Sequence, residues 1–309
     1  MGKVSTSVLE ELWFGEDDPE AADAMAAASL AAHLAEIEGL RPFPVVVQKV
    51  IAYVARPDFR VEKVRDFIEE DPAMAARLLR MANSAAFQRR MPCASIQDAI
   101  VRLGARMVTD LASAMAAMTA FGDLKGTGKM VREHCVGTAA IVRALAYRMG
   151  ESITPSVAFL VGLLHDIGKL LIIQTRDEAY VSIPGIASGN ADEVHLRERE
   201  ILGYDHAVLG GHVLAKWGLP SPVPKVVAWH HQPGRAYKEG GATAALVATL
   251  RIADAIDILV RRGKTLDAGV AKRLAASADA VQCDLHENDI AATLAEAAQL
   301  RGEALALFH

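Results

Sequence analysis

Cysteine is scarce in this chain: three in 309 residues, Cys93, Cys135 and Cys283. They are odd in number, far apart and without C-x-x-C spacing. That argues against a disulfide framework and fits unpaired thiols in a reducing compartment, expected to be the cytoplasm. Aromatic residues are also few, at 5%. Strand-like alternation of apolar and polar residues is nearly absent, and alanine fills much of the apolar share. Closely packed helices are therefore expected, not sheets. The start of the chain lacks a basic stretch followed by an apolar core, so no signal peptide is expected. The longest apolar run near the middle, Ala158 to Leu164, ends at His165-Asp166. It is about a third of the ~20 residues a membrane helix needs, so no membrane partner is expected.

Charge of one sign is also modest. The net charge is −5 and the pI is about 6.1. Direct nucleic-acid binding through bulk positive charge is not expected. Hydrophobic residues make up 52% and charged residues 23%, the balance of a globular, core-forming chain. Its length suggests about two domains, or one large one. The charge is unevenly spread. Residues 1–40 hold one lysine and nine acids, a net −8, so the other 269 residues carry +3. This acidic head reads as a solvated leader helix.

Helical spacing runs through the rest. Val46, Val50, Ile51 and Val54 form one stripe, and Val61, Val64, Phe67 and Ile68 the next. Asp71-Pro72 supplies an N-cap and a first-turn proline for a third helix. Ser95 and Asp98 form a capping box ahead of Ile96, Ile100 and Leu103, with Gly104 as the stop. Three glycines in residues 122–128 mark a linker and the expected domain boundary. Beyond it, helices are expected over 129–149, from Thr154-Pro155 to near Gly168, from Asp205 to Trp217-Gly218, and over about 243–261. Residues 182–190 read as a loop, and two polar-faced helices close the chain.

Histidine is the informative residue. Of ten, His134, His165, His206, His230 and His231 stand in suggestive places. His165-Asp166 ends an apolar helix whose turns would bury both side chains, and a buried aspartate needs a partner or a metal. The pair alone fits equally a satisfied helix end. His230-His231 follows an apolar helix, but neighbouring helical residues point about 100° apart, so the pair needs a cluster converging from elsewhere. His206 sits at a helix start and also suits a surface. Asp254 lies in a stripe with Arg251, Asp257 and Arg261, which reads equally as a solvated, salt-bridged face. Imidazole and carboxylate together suit Fe, Mn, Zn or Ni.

The order His134, His165-Asp166, Asp254 resembles the HD superfamily of metal-dependent phosphohydrolases. His206, His230 and His231 are similar to the second-metal ligands of its HD-GYP branch. The string from Glu70-Asp71-Pro72 through Arg77-Leu78-Leu79-Arg80-Met81-Ala82-Asn83 to Phe87 most resembles the HDOD family, over residues 41–262. So do Arg41-Pro42-Phe43-Pro44, the segment Ile96 to Gly104, Glu200 through Gly203 and Asp205-His206 to Gly210, and Trp217 with Pro220.

The resemblance implies an all-α, multi-helix HD-like bundle behind a smaller N-terminal helical subdomain. Its parts would be the leader 1–40, an N-terminal helical part 41–122, a metal-site part 129–262 and C-terminal helices 263–309. It implies a bacterial regulatory or output module of signal transduction, with signalling protein partners and mostly without catalysis. It also implies two divalent ions. Asp166 would bridge them, with His134, His165 and Asp254 on one and His206, His230 and His231 on the other. His212 is an alternative to His206. A phosphohydrolase or phosphodiesterase acting on a nucleotide-like, phosphate-containing ligand is the other reading, with Asp166 and Lys169 catalytic and Lys169 as the phosphate clamp, although a lysine there equally suits a solvated helix end. The chain departs from its relatives in two places. No Gly-Tyr-Pro follows His231, and Ile167-Gly168, not Glu-Asp, follows Asp166. Neither cyclic-di-GMP nor ppGpp is therefore expected as a substrate.

Overall fold

A computed structural model describes residues 24–40, 49, 50, 53, 56, 58–83, 92–105, 107–109, 111, 112, 115, 121, 125–150, 152–181, 183, 194–219 and 221–308. Helices account for its regular structure, and no strand occurs among the described residues. The fold is all-α, as the composition predicts.

A first group of helices comprises α1 (Ala24–Leu40), α2 (Val61–Glu69), α3 (Pro72–Ala82) and α4 (Ile96–Leu103). The starts of α3 and α4 follow the expected caps. The Asp71 carboxylate accepts from the Met74 N–H at 3.1 Å. The Ser95 hydroxyl and Asp98 carboxylate cap each other's backbone N–H, which is the full capping box. Gly104 ends α4 at a φ of +86°, a left-handed conformation that favours glycine. α2, α3 and α4 pack on one another through Val64, Ile68, Leu78 and Ile100. The stripe at Val46, Ile51 and Val54 lies outside the described residues.

The second group carries the histidines. α5 (Gly126–Arg148) is its axis, with α6 (Pro155–Leu164), α7 (Ile167–Val181), α12 (Gly241–Arg261) and α15 (Glu287–Phe308) packed around it. Small residues set this spacing. A Cβ at Gly162 would lie 2.6 Å from the Ala139 Cα, so α5 and α6 approach as closely as backbones allow. Between α7 and α12 run α8 (Val194–Leu202), α9 (His206–Lys216), α10 (Val223–Trp229) and α11 (Pro233–Glu239). α13 (Ala268–Ala275) and α14 (Ala278–Cys283) precede α15, so three helices close the chain where two are expected. α5 begins at Gly126, inside the segment read as a linker; residues 122–124 are not described. The loop at 182–190 is likewise outside the described residues, apart from Ile183.

Two readings change. The helix from Pro155 does not run to Gly168: it ends at Leu164, turns at His165-Asp166, and a new helix starts at Ile167. Gly168 is not a stop but a point of contact, since a Cβ there would lie 1.9 Å from the His206 carbonyl oxygen. The acidic head is not wholly a solvated leader either. Leu30, His33 and Ile37 of α1 are buried against α7, α8 and α9. The His33 ring bonds the Tyr204 hydroxyl and, at 2.6 Å, Thr175 Oγ1. The Ser29 hydroxyl donates to the Leu202 carbonyl.

One stretch, Pro155–Arg176, has the length and hydropathy of a membrane span. The turn at His165-Asp166 breaks it, and 78% of its apolar window is buried inside the protein, as in a core helix.

Candidate metal centre

The turn between α6 and α7 places His165 and Asp166 at the centre of the second group, each 1% exposed. Asp205 caps α9 through the Val208 N–H at 2.9 Å and so fixes His206 at the first position of that helix. α10 ends at Trp229, and its C-terminal turn carries His230 and His231. α5 brings His134 and α12 brings Asp254. Five segments far apart in sequence thus deliver all seven expected ligands to one place.

They fall into two groups. Asp166, His206, His230 and His231 form one; His134, His165 and Asp254 form the other. Within each group the candidate ligand atoms lie within 4.8 Å of one another. Asp166 also reaches the second group, with Oδ2 3.8 Å from His134 Nε2 and 3.6 Å from His165 Nε2. Its Oδ1 lies 3.0 Å from His206 Nε2 and 3.8 Å from His230 Nε2. His212 belongs to neither group. It lies six residues along α9 from His206, and its Nδ1 donates to the Val208 carbonyl at 2.8 Å.

The rings are oriented from behind. His165 Nδ1 donates to the Gly162 carbonyl at 2.8 Å, and His230 Nδ1 to the Val227 carbonyl at 2.6 Å. His134 Nδ1 donates to Asp257 at 2.7 Å, and His206 Nδ1 to Glu198 at 2.6 Å. A proton held on Nδ1 leaves the Nε2 lone pair as the ligand atom, the usual arrangement behind a metal-bound histidine. In all four cases Nε2 is the atom turned toward Asp166. His165 Nε2 and His230 Nε2 are buried and have no hydrogen-bond partner among the described residues. The spacing suits an ion. Two atoms each about 2.1 Å from a metal, at 90–109° to each other, sit roughly 3.0–3.4 Å apart. His134 Nε2 is 2.9 Å from Asp254 Oδ1, and His231 Nε2 is 3.1 Å from His206 Nε2.

The electrostatics agree. Asp166, Asp254, Asp257 and Glu198 put four carboxylates in or against the site, and buried negative charge needs compensation. Lys169 supplies part of it, with Nζ 2.7 Å from Asp166 Oδ2. Protons supply more. Burial disfavours charge on His134, but its bonds to Asp254 and Asp257 outweigh this and lift it to about 9. Burial likewise opposes charge on His206, and Glu198 and Asp166 lift it to about 9. Burial pushes His165 down, and His230 and His231 well down. Burial also works against ionised Asp166, yet Lys169 and the neighbouring rings hold it well below the usual carboxylate range. A cation would do for these carboxylates what the extra protons do. The residues fit divalent metal ions.

A cavity of about 350 Å³ opens beside the cluster. Asp166, Asp254, His134 and His231 line it with Lys169, Arg251 and Arg261. Most of the stripe on α12 therefore faces the site: Asp257 is fully buried and the Arg251 Nη1 donates to the His230 carbonyl at 2.6 Å, while Arg261 lines the cavity from an exposed position.

Three contributors were not singled out as functional in the sequence. Glu198 binds both the ring and the backbone N–H of His206, at 2.6 and 2.8 Å, and accepts from the Tyr180 hydroxyl at 2.6 Å. The sequence held a signal for it: Val194, Glu198 and Leu202 form an i, i+4, i+8 stripe on which a glutamate interrupts buried apolar residues. Asp257, read only as a polar stripe member, holds His134. His195 stacks flat on His231, ring centres 4.3 Å apart, and no local pattern marked it.

An all-helical fold with two histidine–aspartate clusters meeting at one aspartate defines the class. The chain belongs to the HDOD domain family, whose domain matches residues 40–233. Asp254 and the helices after α12 lie beyond that match. The chain is similar to a candidate phosphohydrolase from Shewanella amazonensis SB2B, at 26% identity and a TM-score of 0.71, over 90% of this chain and 98% of that one. An HDOD domain protein of unknown function from Geobacter sulfurreducens shares the fold, at 23% identity and a TM-score of 0.70, over 91% and 99% of the two chains. An uncharacterised protein of Treponema pallidum (strain Nichols) is 24% identical over 211 residues, 68% of this chain. That match covers 41% of the Treponema protein, so this chain spans about two fifths of that relative.

Proposed function

We propose that this protein is a regulatory HDOD protein of bacterial signalling whose HD centre holds two divalent ions and takes a phosphate-bearing small ligand. One observation carries the reading: two ligand groups converge on Asp166 at the edge of a cavity that Lys169, Arg251 and Arg261 also line. His134, His165 and Asp254 would hold one ion, and His206, His230 and His231 the other, with Asp166 between them. Imidazole and carboxylate favour Fe, Mn or Zn, with Ni also acceptable. Bound there, the ions supply positive charge to phosphate oxygens and lower the pKa of bound water towards neutrality.

The chain's own residues do the rest. Asp257 and Glu198 fix the rings of His134 and His206. Lys169 offers an ammonium beside Asp166 that a phosphate oxygen can share. The occupied centre ties α5, α7, α9, α10 and α12 together, so occupancy sets how rigidly they pack. A signalling protein docked on the N-terminal helices α2–α4 would read that state. Neither a membrane nor nucleic acid is a partner in this account, and the protein works in the cytoplasm.

A metal-dependent phosphohydrolase acting on a nucleotide-like substrate is the second reading. The position of Lys169 beside Asp166 on an open cavity favours it, as does the likeness to the Shewanella protein. Asp166 and Lys169 would then be catalytic. Metal analysis of protein purified without a histidine tag tests the shared part, with about two ions per chain expected. Turnover of bis-p-nitrophenyl phosphate by the metal-loaded wild type and Asp166→Ala then separates the readings. Equal rates remove the hydrolase; a wild-type rate lost in the variant establishes it.

A further inference from the structure

Both ligand groups are braced by helices beyond residue 233, where the family match ends. Asp257 lies one turn after Asp254 on α12 and is fully buried. Its Oδ2 accepts from His134 Nδ1 at 2.7 Å, and its Oδ1 from Arg301 Nε of α15 at 3.1 Å. Gly137 of α5 leaves the room this carboxylate occupies: a Cβ there would lie 2.0 Å from Asp257 Oδ1. A charged chain thus runs from the last helix, through Arg301 and Asp257, to the His134 ring of the group His134, His165 and Asp254.

A separate chain reaches the other group. Arg251 donates through Nη1 to the His230 carbonyl at 2.6 Å and through Nε to Asp279 Oδ1 of α14 at 2.9 Å. The Tyr237 hydroxyl donates to the same Asp279 oxygen. Asp279 therefore anchors the arginine that holds the turn carrying His230 and His231.

We propose that Arg301 and Asp279 are positioning residues of the metal centre, each tuning a different ion position: Arg301 the one at His134, His165 and Asp254, and Asp279 the one at His206, His230 and His231. The proposal rests on the two-metal reading above. The physical reason is common to both. A ligating ring or turn keeps its aim only while the group behind it is held, and a buried carboxylate or guanidinium that loses its partner re-orients to find another.

The test is calorimetric titration of the metal-free full-length chain with Mn²⁺. His165→Ala and His230→Ala assign the two binding events, each by the event it abolishes. Arg301→Met is expected to weaken the His165 event by about 10–100-fold and spare the other, and Asp279→Asn to do the reverse. Arg301→Lys restores part of the loss. Gly137→Ala displaces Asp257 without removing a charge from α15 and weakens the same event as Arg301→Met, which keeps the test decisive if the arginine variant fails to fold. Arg148→Met is the control. Arg148 ties α5 to Thr293 of α15 at 3.0 Å away from the centre, and its loss leaves both events unchanged. Unchanged affinities in Arg301→Met and Asp279→Asn overturn the proposal. So does an equal loss in Arg148→Met, which would reduce the effect to helix docking. A wild type that binds no Mn²⁺ overturns the two-metal reading itself.

Discussion

Gly168→Ala tests whether the turn after His165-Asp166 is packed as tightly as the structure shows. The added Cβ would meet the His206 carbonyl oxygen at 1.9 Å, its carbon at 2.7 Å and the His206 Cα at 3.0 Å. All three are backbone atoms, so no rotamer change relieves the clash, and α7 or α9 must shift by more than 1 Å. Overpacking of this kind costs about 3 kcal/mol, at the upper end of the usual range. The higher helix propensity of alanine offsets up to about 1 kcal/mol. For a chain of this length, with unfolding entropy of roughly 0.65 kcal/mol/K, the net ~2 kcal/mol lowers Tm by roughly 3 °C. Gly302→Ala is the matched control. It lies in α15 with nothing within 4 Å of the added Cβ, so the same change should hold or raise Tm. Differential scanning calorimetry of metal-free protein measures both. Because the strained carbonyl belongs to His206, Gly168→Ala should also reduce the Tm rise that added Mn²⁺ gives. A variant that melts at or above the wild type would refute the packing argument.

Three further outcomes follow from individual residues. Asp205→Ala removes the cap of α9 and the partner of Arg199 at 2.9 Å, so the urea midpoint should drop by the equivalent of about 1–2 kcal/mol; no change would mean the cap carries nothing. Burial, with Arg176 nearby, pushes His33 down to about 4, below its ordinary 6.5. The folded state is then the poorer proton acceptor, so the stability this ring contributes is complete above pH 6.5 and is lost as pH falls towards 4. The urea midpoint should fall more between pH 7 and pH 5 in the wild type than in His33→Gln, and equal falls would contradict the assignment. All three cysteines are buried, so an aromatic disulfide reagent should label the native protein slowly and the urea-unfolded protein at three thiols at once; rapid native labelling would contradict that burial.

What the sequence showed in advance was local. The caps at Asp71, Ser95 and Asp205 each join residues three apart, so the chemistry that starts a helix is written beside it. The candidate ligands were legible because their order along the chain resembles one family. What escaped was tertiary. The polar stripe of α12 has the same spacing whether it faces water or a buried centre, and only the packing of α5 and α15 shows that Asp257 lies inside. Glu198 sits in the charged run Arg197-Glu198-Arg199-Glu200, where Arg197 and Glu200 are exposed, Arg199 is half-buried against Asp205 and Glu198 alone is buried. Arg301 and Asp279 reach the site across 44 and 28 residues of chain, a distance no periodicity spans. The helix that starts at Ile167 was hidden for a different reason: Gly168 reads as a stop in sequence, and only its tight contact with the His206 carbonyl shows that it lies in the first turn of a new helix.

The central claim is that Asp166 lies between two metal ions. Anomalous diffraction from crystals of tag-free protein grown with Mn²⁺ addresses it directly. The account predicts two anomalous peaks flanking the Asp166 carboxylate, one within reach of His134, His165 and Asp254 and one within reach of His206, His230 and His231. A map with no peak at either cluster, from protein grown in saturating metal, would contradict it.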